Sequence, residues 1–112
     1  MPFRPADAFL PLTPVDFEIL LALTEGPLHG YAIFQHVETR VGATLPMRTG
    51  TIYRAIARLV DGGLVNPGPE RDRGRTYAIT ATGRKVVRQE AERLDSQVRA
   101  ARARRILPGE PK

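Results

Sequence analysis

The sequence predicts a mainly α-helical fold with one small β-hairpin, and three observations support that prediction. Three short segments with apolar residues at helical spacing fill the first half of the chain. Two short strand-like segments then flank a stretch rich in glycine, proline and arginine. A last segment, from Thr80 to about Arg105, has apolar residues at alternating spacings of four and three, which is typical of a long helix that packs on a partner helix.

The first two helices are marked by capping residues and by glycines. The first begins at Thr13, which is suited to cap it, with Pro14 at the first helical position, and it ends before Gly26-Pro27. Its apolar residues are Val15, Ile19, Ala22 and Leu23. The second is predicted from about Leu28 or His29 to Arg40, with Gly42 as the residue that terminates it. Its apolar face is Ile33, Phe34, Val37 and Val41.

The third helix is predicted in the segment from Thr49 to Leu64, and Thr49 can act as its cap. This segment has one apolar and one polar face. Gly63 lies where a left-handed C-terminal residue is favoured, so that Leu64 folds back on the last turn. One face carries the predicted core residues Ile52, Ala55, Ile56 and Leu59, with Val60 beside them. The other face carries Thr51, Arg54, Arg58 and Asp61.

The hairpin is predicted from two short strands, Leu64 to Asn66 and Thr76 to Ile79. The turn-forming residues and arginines of 67–75 predict a mobile, exposed loop between them. Tyr77 and Ile79 share one face of the second strand and are expected to point towards the core.

Thr80 is expected to cap the last helix, which at ~1.5 Å per residue would be about 36 Å long. Its apolar seam predicts the interface of a homodimer and consists of Val87, Ala91, Leu94, Val98 and Ala101. The many arginines of this helix would allow it to contact an acidic partner such as DNA. We favour the solvated outside of a dimer helix, because the seam needs a partner to cover it.

Composition excludes several classes of protein. With 112 residues, 42% hydrophobic and 26% charged, the chain suits one globular domain. No cysteine is present, which excludes disulfides and thiol catalysis. No apolar run is long enough to span a membrane, so we expect a soluble, cytoplasmic protein. No nucleophile motif, phosphate loop or metal-ligand cluster accompanies His29 and His36, so we expect neither cofactor, bound metal nor enzymatic activity.

The order of three helices and a basic hairpin is that of a winged helix-turn-helix. We divide the chain into an N-terminal arm (1–12), a winged helix-turn-helix domain (13–82), a dimerisation helix (83–107) and a tail (108–112). The net charge of +5 favours an acidic partner. Of the 17 basic residues, 15 are arginine and only Lys85 and Lys112 are lysine, and arginine can bind phosphate through two hydrogen bonds at once. A GC-rich genome would also explain the excess of arginine.

This order of elements predicts binding to double-stranded DNA. A helix fits the major groove with its outward side chains at the base edges, and loop arginines suit a narrow minor groove. Tyr53 is expected to donate to a phosphate because it lies on the third helix. The expected DNA-binding residues are Arg48, Thr49, Thr51, Tyr53, Arg54, Arg58, Arg71, Arg73 and Arg75.

Three spaced motifs resemble the PadR family of bacterial transcriptional regulators over about residues 12–105. They are Leu12-Thr13-Pro14 with Ile19 to Leu23, Gly26-Pro27 and His29 to Ile33; Gly50 to Tyr53 with Arg58-Leu59 and Gly63 to Val65; and Gly74 to Gly83. The resemblance implies a homodimeric winged-helix repressor whose C-terminal helix forms the dimer. It places Thr49, Thr51, Tyr53 and Arg54 at the DNA and Arg73 and Arg75 in the wing.

Two departures from the family pattern stand out. Val60 occupies a position where the family often has an acidic residue, so we expect that face of the helix to pack differently. A single C-terminal helix leaves no room for the larger effector domain of longer members. Relatives bind small-molecule effectors, but no residue here identifies one or its site.

We therefore expect a regulator that binds an inverted-repeat operator as a homodimer. The alternative is a winged-helix module for protein–protein contact, without sequence-specific DNA binding. The two differ in salt dependence, because binding through phosphates weakens steeply as salt rises.

Overall fold

The computed structural model describes residues 9–108, which form four α-helices and a three-stranded antiparallel sheet. In chain order the elements are α1 (Pro14–Leu23), β1 (Leu28–His29), α2 (Gly30–Val41), α3 (Thr49–Asp61), β2 (Val65–Arg71), β3 (Gly74–Ile79) and α4 (Ala81–Ala103). The prediction of a mainly helical fold with a winged helix-turn-helix and a long C-terminal helix is confirmed. Residues 1–8 of the expected arm and 109–112 of the expected tail lie outside the described residues.

Helices α1, α2 and α3 enclose the core. The Thr13 cap of α1 is confirmed, because its Oγ1 accepts the Asp16 N–H at 3.1 Å. The predicted apolar faces meet, and burial of such side chains is the main stabilising term. The largest fully buried apolar side chains are Ile19, Leu20, Leu23, Ile33, Val37, Ile52, Ile56, Leu59, Leu64, Val65 and Val86.

The N-terminus of α3 differs from the prediction by one residue. Arg48, and not Thr49, is the N-cap residue, with extended backbone and no side-chain capping bond. Its carbonyl accepts the first intrahelical bond, from the Thr51 N–H at 3.0 Å, which places Thr49 inside the first turn.

The C-terminus of α3 confirms the prediction. Gly63 has a φ of +80°, in the left-handed region that favours glycine. The Leu64 N–H donates to the Leu59 carbonyl at 2.9 Å and the Gly63 N–H to the Val60 carbonyl at 3.0 Å, as in a Schellman motif.

The strand β1 was missed by sequence analysis, and the predicted start of α2 at Leu28 or His29 is wrong. Leu28 pairs with Tyr77 and His29 with Thr76, so β3 is central in the order β1-β3-β2. The helix begins only at Gly30, with His29 as its N-cap residue.

The prediction of a loop at 67–75 is also wrong, since most of these residues belong to the strands β2 and β3. β2 and β3 pair as far as Arg71 and Gly74, which leaves Asp72-Arg73 as the turn. The register shifts between Pro67 and Glu70. Prolines are tolerated there because β2 is an edge strand with an irregularity. The wing is therefore a short-turned hairpin and not a long loop.

Helix α4 begins at the predicted cap, where Thr80 Oγ1 accepts the Gly83 N–H at 2.9 Å. Its buried residues all lie in the first ten, and the last of them is Glu90. Val87, expected in the dimer seam, is 7% exposed and packs in the core of its own chain. Within residues 9–108, no helix combines the length and apolar character needed to cross a membrane.

Candidate nucleic-acid interface

The first two turns of α3 present a polar surface opposite its core face. Ile52, Ala55 and Ile56 are at most 1% exposed, whereas Arg48, Thr49 and Arg54 are open to solvent. Thr51 is half-buried, and the Tyr53 side chain is 43% exposed. These residues, expected from the sequence to meet DNA, therefore share one accessible end of the helix.

Helix α3 and the wing flank one open groove. Tyr53, Ala57 and Val60 of α3 line it, together with Arg75 of β3. The other lining residues are Ile56, Asp61, Pro67 and Tyr77. The groove therefore brings together two parts of the interface that are separate in the sequence.

The wing tip carries the remaining predicted arginines. Arg71 and Arg73 are exposed, while Arg75 is half-buried and pairs with Glu70 at 3.5 Å. A second open pocket is lined by His29, Arg71, Asp72 and Arg73. The sheet therefore places the wing arginines beside the N-terminus of α2, a relation that the sequence did not indicate because β1 was missed.

Arg58 lies apart from the other predicted residues. Its Nη2 donates to Oδ1 of Asp16 at 2.9 Å, while the side chain remains 56% exposed and that of Asp16 only 9%. The pair joins α3 to α1. Glu18 and Arg40 join α1 to α2 in the same way, through two hydrogen bonds of 2.9 and 3.2 Å.

Thr80 connects the C-terminal end of α3 to the start of α4. Its Oγ1 donates to the Gly63 carbonyl at 2.8 Å, and its N–H donates to the Leu64 carbonyl at 3.0 Å. Gly83 packs so closely that a methyl group on it would lie 2.2 Å from the Leu64 carbonyl oxygen. The helix expected to read DNA is therefore fixed to the helix expected to form the dimer.

Glu90 is a buried carboxylate that sequence analysis missed. It is 2% exposed, and Arg93 donates to its two oxygens at 2.8 and 2.7 Å. This bonding to Arg93 lowers the pKa of Glu90 against the opposing effect of burial, and a backbone hydrogen bond from Leu12 lowers the pKa further. The available signal was its position, three and four residues after Val87 and Val86 on the buried face.

The distal half of α4 offers little contact to its own chain. Ala91 is exposed, and the other seam residues Leu94, Val98 and Ala101 are half-buried. Just beyond the helix, Ile106 is 74% and Leu107 40% exposed. Among the described residues, the apolar side chains after Glu90 thus lack a fully enclosing core.

Comparison with known proteins agrees with the fold and the motifs. The model of the PadR-like family of transcriptional regulators matches residues 19–89, more than half of the chain. The chain belongs to the PadR-like family. It shares its fold with solved relatives, and the resemblance stated from the motifs is confirmed.

Two relatives differ in how much of their own length this chain covers. An uncharacterized 37.1 kDa protein in transposon TN4556 of Streptomyces fradiae is 41% identical over 76 residues, which are 68% of this chain and 21% of that protein. The chain thus spans about a fifth of that relative. A transcriptional regulator from Clostridium thermocellum is 29% identical with a TM-score of 0.68, over 80% of this chain and 87% of that one.

A third relative was solved with DNA. Bacillus subtilis PadR in complex with operator DNA is 22% identical with a TM-score of 0.59, over 70% of this chain and 47% of that one. At this identity the likeness concerns the fold.

Among residues 9–108 of the present chain, no cluster of histidine and acidic side chains is arranged to hold a metal ion.

Proposed function

We propose that this regulator is a homodimeric repressor that binds an inverted-repeat operator, with the start of α3 in the major groove. The wing contacts the adjacent backbone or minor groove. The observation that carries the proposal is the groove between α3 and the wing, because Tyr53 of α3 and Arg75 of β3 both line it. A DNA strand between them would meet helix and wing together.

The proposed contacts follow from the chemistry of each side chain. Arg54 reaches base edges as a bidentate donor, and Thr49 and Thr51 supply shorter contacts beside it. Tyr53 donates to a phosphate from the groove side. Arg48, before the helix, and Arg71, Arg73 and Arg75, in the wing, contact phosphates or the minor groove. Arg58 lies at the edge of the interface because Asp16 already holds one of its nitrogens.

The seam of α4 supports the dimer. Leu94, Val98 and Ala101 are half-buried in the described chain, and a second α4 packed along them would cover them. Val87 then lies at the inner end of the interface, between its own core and the second copy. In a symmetric dimer the two α3 helices would enter successive major grooves, roughly 34 Å apart.

The operator complex of Bacillus subtilis PadR supports a DNA partner, since that protein has the same fold. An operator for this chain would be selected from a random DNA pool. Arg54→Ala and Arg73→Ala are each expected to weaken binding by about tenfold or more, the range for a lost base or minor-groove contact. Arg99→Ala is the matched control, because it removes the same charge from the distal part of α4.

Two outcomes would contradict the proposal. Full affinity in both Arg54→Ala and Arg73→Ala would exclude the proposed contacts. Absence of DNA binding by the wild type at low salt would favour the protein–protein alternative, since phosphate binding is strongest there. The dimer has its own test: Leu94→Glu is expected to elute as a monomer in gel filtration, and an unchanged elution volume would exclude the seam.

A further inference from the structure

Two glycines of the helix-turn-helix contact the two largest side chains at the start of α3. A methyl group built on Gly30 would lie 2.5 Å from Cε1 of Tyr53 and 3.1 Å from its hydroxyl oxygen. The ring of Tyr53 therefore packs directly on the Cα of Gly30, the first residue of α2. The contact joins residues far apart in the sequence and holds the ring between α3 and α2.

The second contact is within α3. A methyl group on Gly50 would lie 3.3 Å from Nη1 of Arg54 and 4.0 Å from its Cζ. The guanidinium thus folds back by one helical turn over Gly50, towards the N-terminus of the helix. The gap is narrower than usual for a methyl group, but the guanidinium can shift by a few tenths of an ångström.

Backbone conformation does not explain these glycines. The described glycines with positive φ are Gly26, Gly63 and Gly74, so Gly30 and Gly50 have ordinary helical backbones. Alanine is the better helix former by up to about 1 kcal/mol in a helix interior. What alanine would disturb at both positions is the placement of a neighbouring side chain.

We propose that Gly30 and Gly50 are positioning residues, which hold Tyr53 and Arg54 in the rotamers that meet DNA. The inference rests on the proposed DNA-binding function and adds to it how the contacting side chains are oriented. Gly30 has the larger role, because its contact with Tyr53 leaves no room for a methyl group. Gly50 has the smaller role, because Arg54 needs to move only slightly.

Double-mutant cycles test this inference by separating the side-chain contact from any backbone effect. The variants are Gly30→Ala, Tyr53→Ala and their double, and Gly50→Ala, Arg54→Ala and their double. Affinity for the selected operator is measured by fluorescence anisotropy, and the thermal midpoint by circular dichroism. Gly62→Ala is the matched control, since its methyl group would displace another aromatic ring, that of Phe9, at the opposite end of α3.

Gly30→Ala is expected to weaken operator binding by about tenfold, the size of one lost contact, with a thermal midpoint no lower than that of Gly62→Ala. In the Tyr53→Ala background the same change is expected to alter affinity less than about twofold, because the displaced ring is gone. Gly50→Ala is expected to weaken binding by about threefold, and only while Arg54 is present. Gly62→Ala is expected to retain affinity.

If Gly30→Ala folds, either of two results would overturn the inference while leaving the DNA-binding proposal in place. One is unchanged affinity in Gly30→Ala; the other is an equal loss with and without Tyr53. If Gly30→Ala does not fold, Gly30→Ala/Tyr53→Ala is expected to fold and to bind like Tyr53→Ala, and weaker binding would overturn the inference. Failure of the DNA-binding proposal is distinct, since the wild type itself would then not bind the DNA pool.

Discussion

The two ends of α3 differ in how they are held. At the C-terminal end, Gly63 and Leu64 accept hydrogen bonds from Thr80, and Gly83 packs against the same backbone. At the N-terminal end, Arg48 provides no side-chain cap, and Arg54 is exposed. The difference indicates a division of roles: one end fixes the helix to α4, while at the other, which we call the free end, Arg54 stays accessible to a partner.

The largest expected effect is at the fixed end. Gly83→Ala would bring a methyl group within 2.2 Å of the Leu64 carbonyl oxygen, a backbone atom that has little freedom to move. We expect a loss of about 3 kcal/mol in the free energy of unfolding, measured by urea denaturation, at the upper end of the range for overpacking. Lys85→Ala, an exposed neighbour, is the control, and equal stability of the two variants would contradict a tight contact at Gly83.

Glu90 joins α4 to the segment before α1, because its carboxylate accepts a backbone hydrogen bond from Leu12. Glu90→Gln removes the ion pair with Arg93 and weakens the bond from Leu12, and we expect a loss of about 2 kcal/mol at neutral pH. The folded pKa of Glu90 is lowered, so its stabilisation is present above the unfolded value of about 4.3 and is lost as pH falls through the folded pKa.

The measurement for Glu90 is urea denaturation of wild type and Glu90→Gln between neutral and acid pH. The difference in unfolding free energy is expected to shrink as the pH falls below the unfolded pKa. A difference that stays constant down to strongly acid pH would contradict the lowered pKa.

Substitutions of Thr80 test the hydrogen bonds that join the end of α3 to the start of α4. Thr80→Ala removes the cap of α4 and the bond to the Gly63 carbonyl, and we expect a loss of about 1 kcal/mol. Thr80→Ser keeps the hydroxyl and is expected to retain most of the stability. If serine and alanine destabilise equally in urea denaturation, the hydroxyl has no structural role.

The smallest effect on stability is expected at the free end. Arg54→Ala should change the free energy of unfolding by less than about 0.5 kcal/mol, as is usual for an exposed side chain without a buried bond. A larger loss in urea denaturation would mean that Arg54 supports the fold, and its effect on DNA affinity could not be assigned to direct contact.

The two ends of α3 also differ in how well the sequence predicted them. Gly63 predicted the C-terminus, because a left-handed residue followed by an apolar one is a local pattern. Thr49 failed as the cap because Arg48 adopts the extended backbone there. Residue type favours a cap but does not determine which of two neighbours takes that conformation.

Features that depend on distant partners were missed. Strand β1 has two residues, too few for a period, and exists because β3 lies beside it. The strand β2 contains Pro67 and Pro69, which locally predict a loop but are accepted at a sheet edge. The carboxylate of Glu90 is bonded mainly to the nearby Arg93, but its further hydrogen bond comes from Leu12, far from it in the sequence.

The central claim is that α3, because its C-terminal end is fixed to the dimer helix α4, would lie at a set distance from the α3 of the second copy. Affinity for operators whose half-site spacing is changed by single base pairs tests it most directly. We predict tight binding at one spacing and a fall towards non-specific affinity when it changes by about five base pairs, half a turn of DNA. Equal affinity at all spacings would contradict the claim.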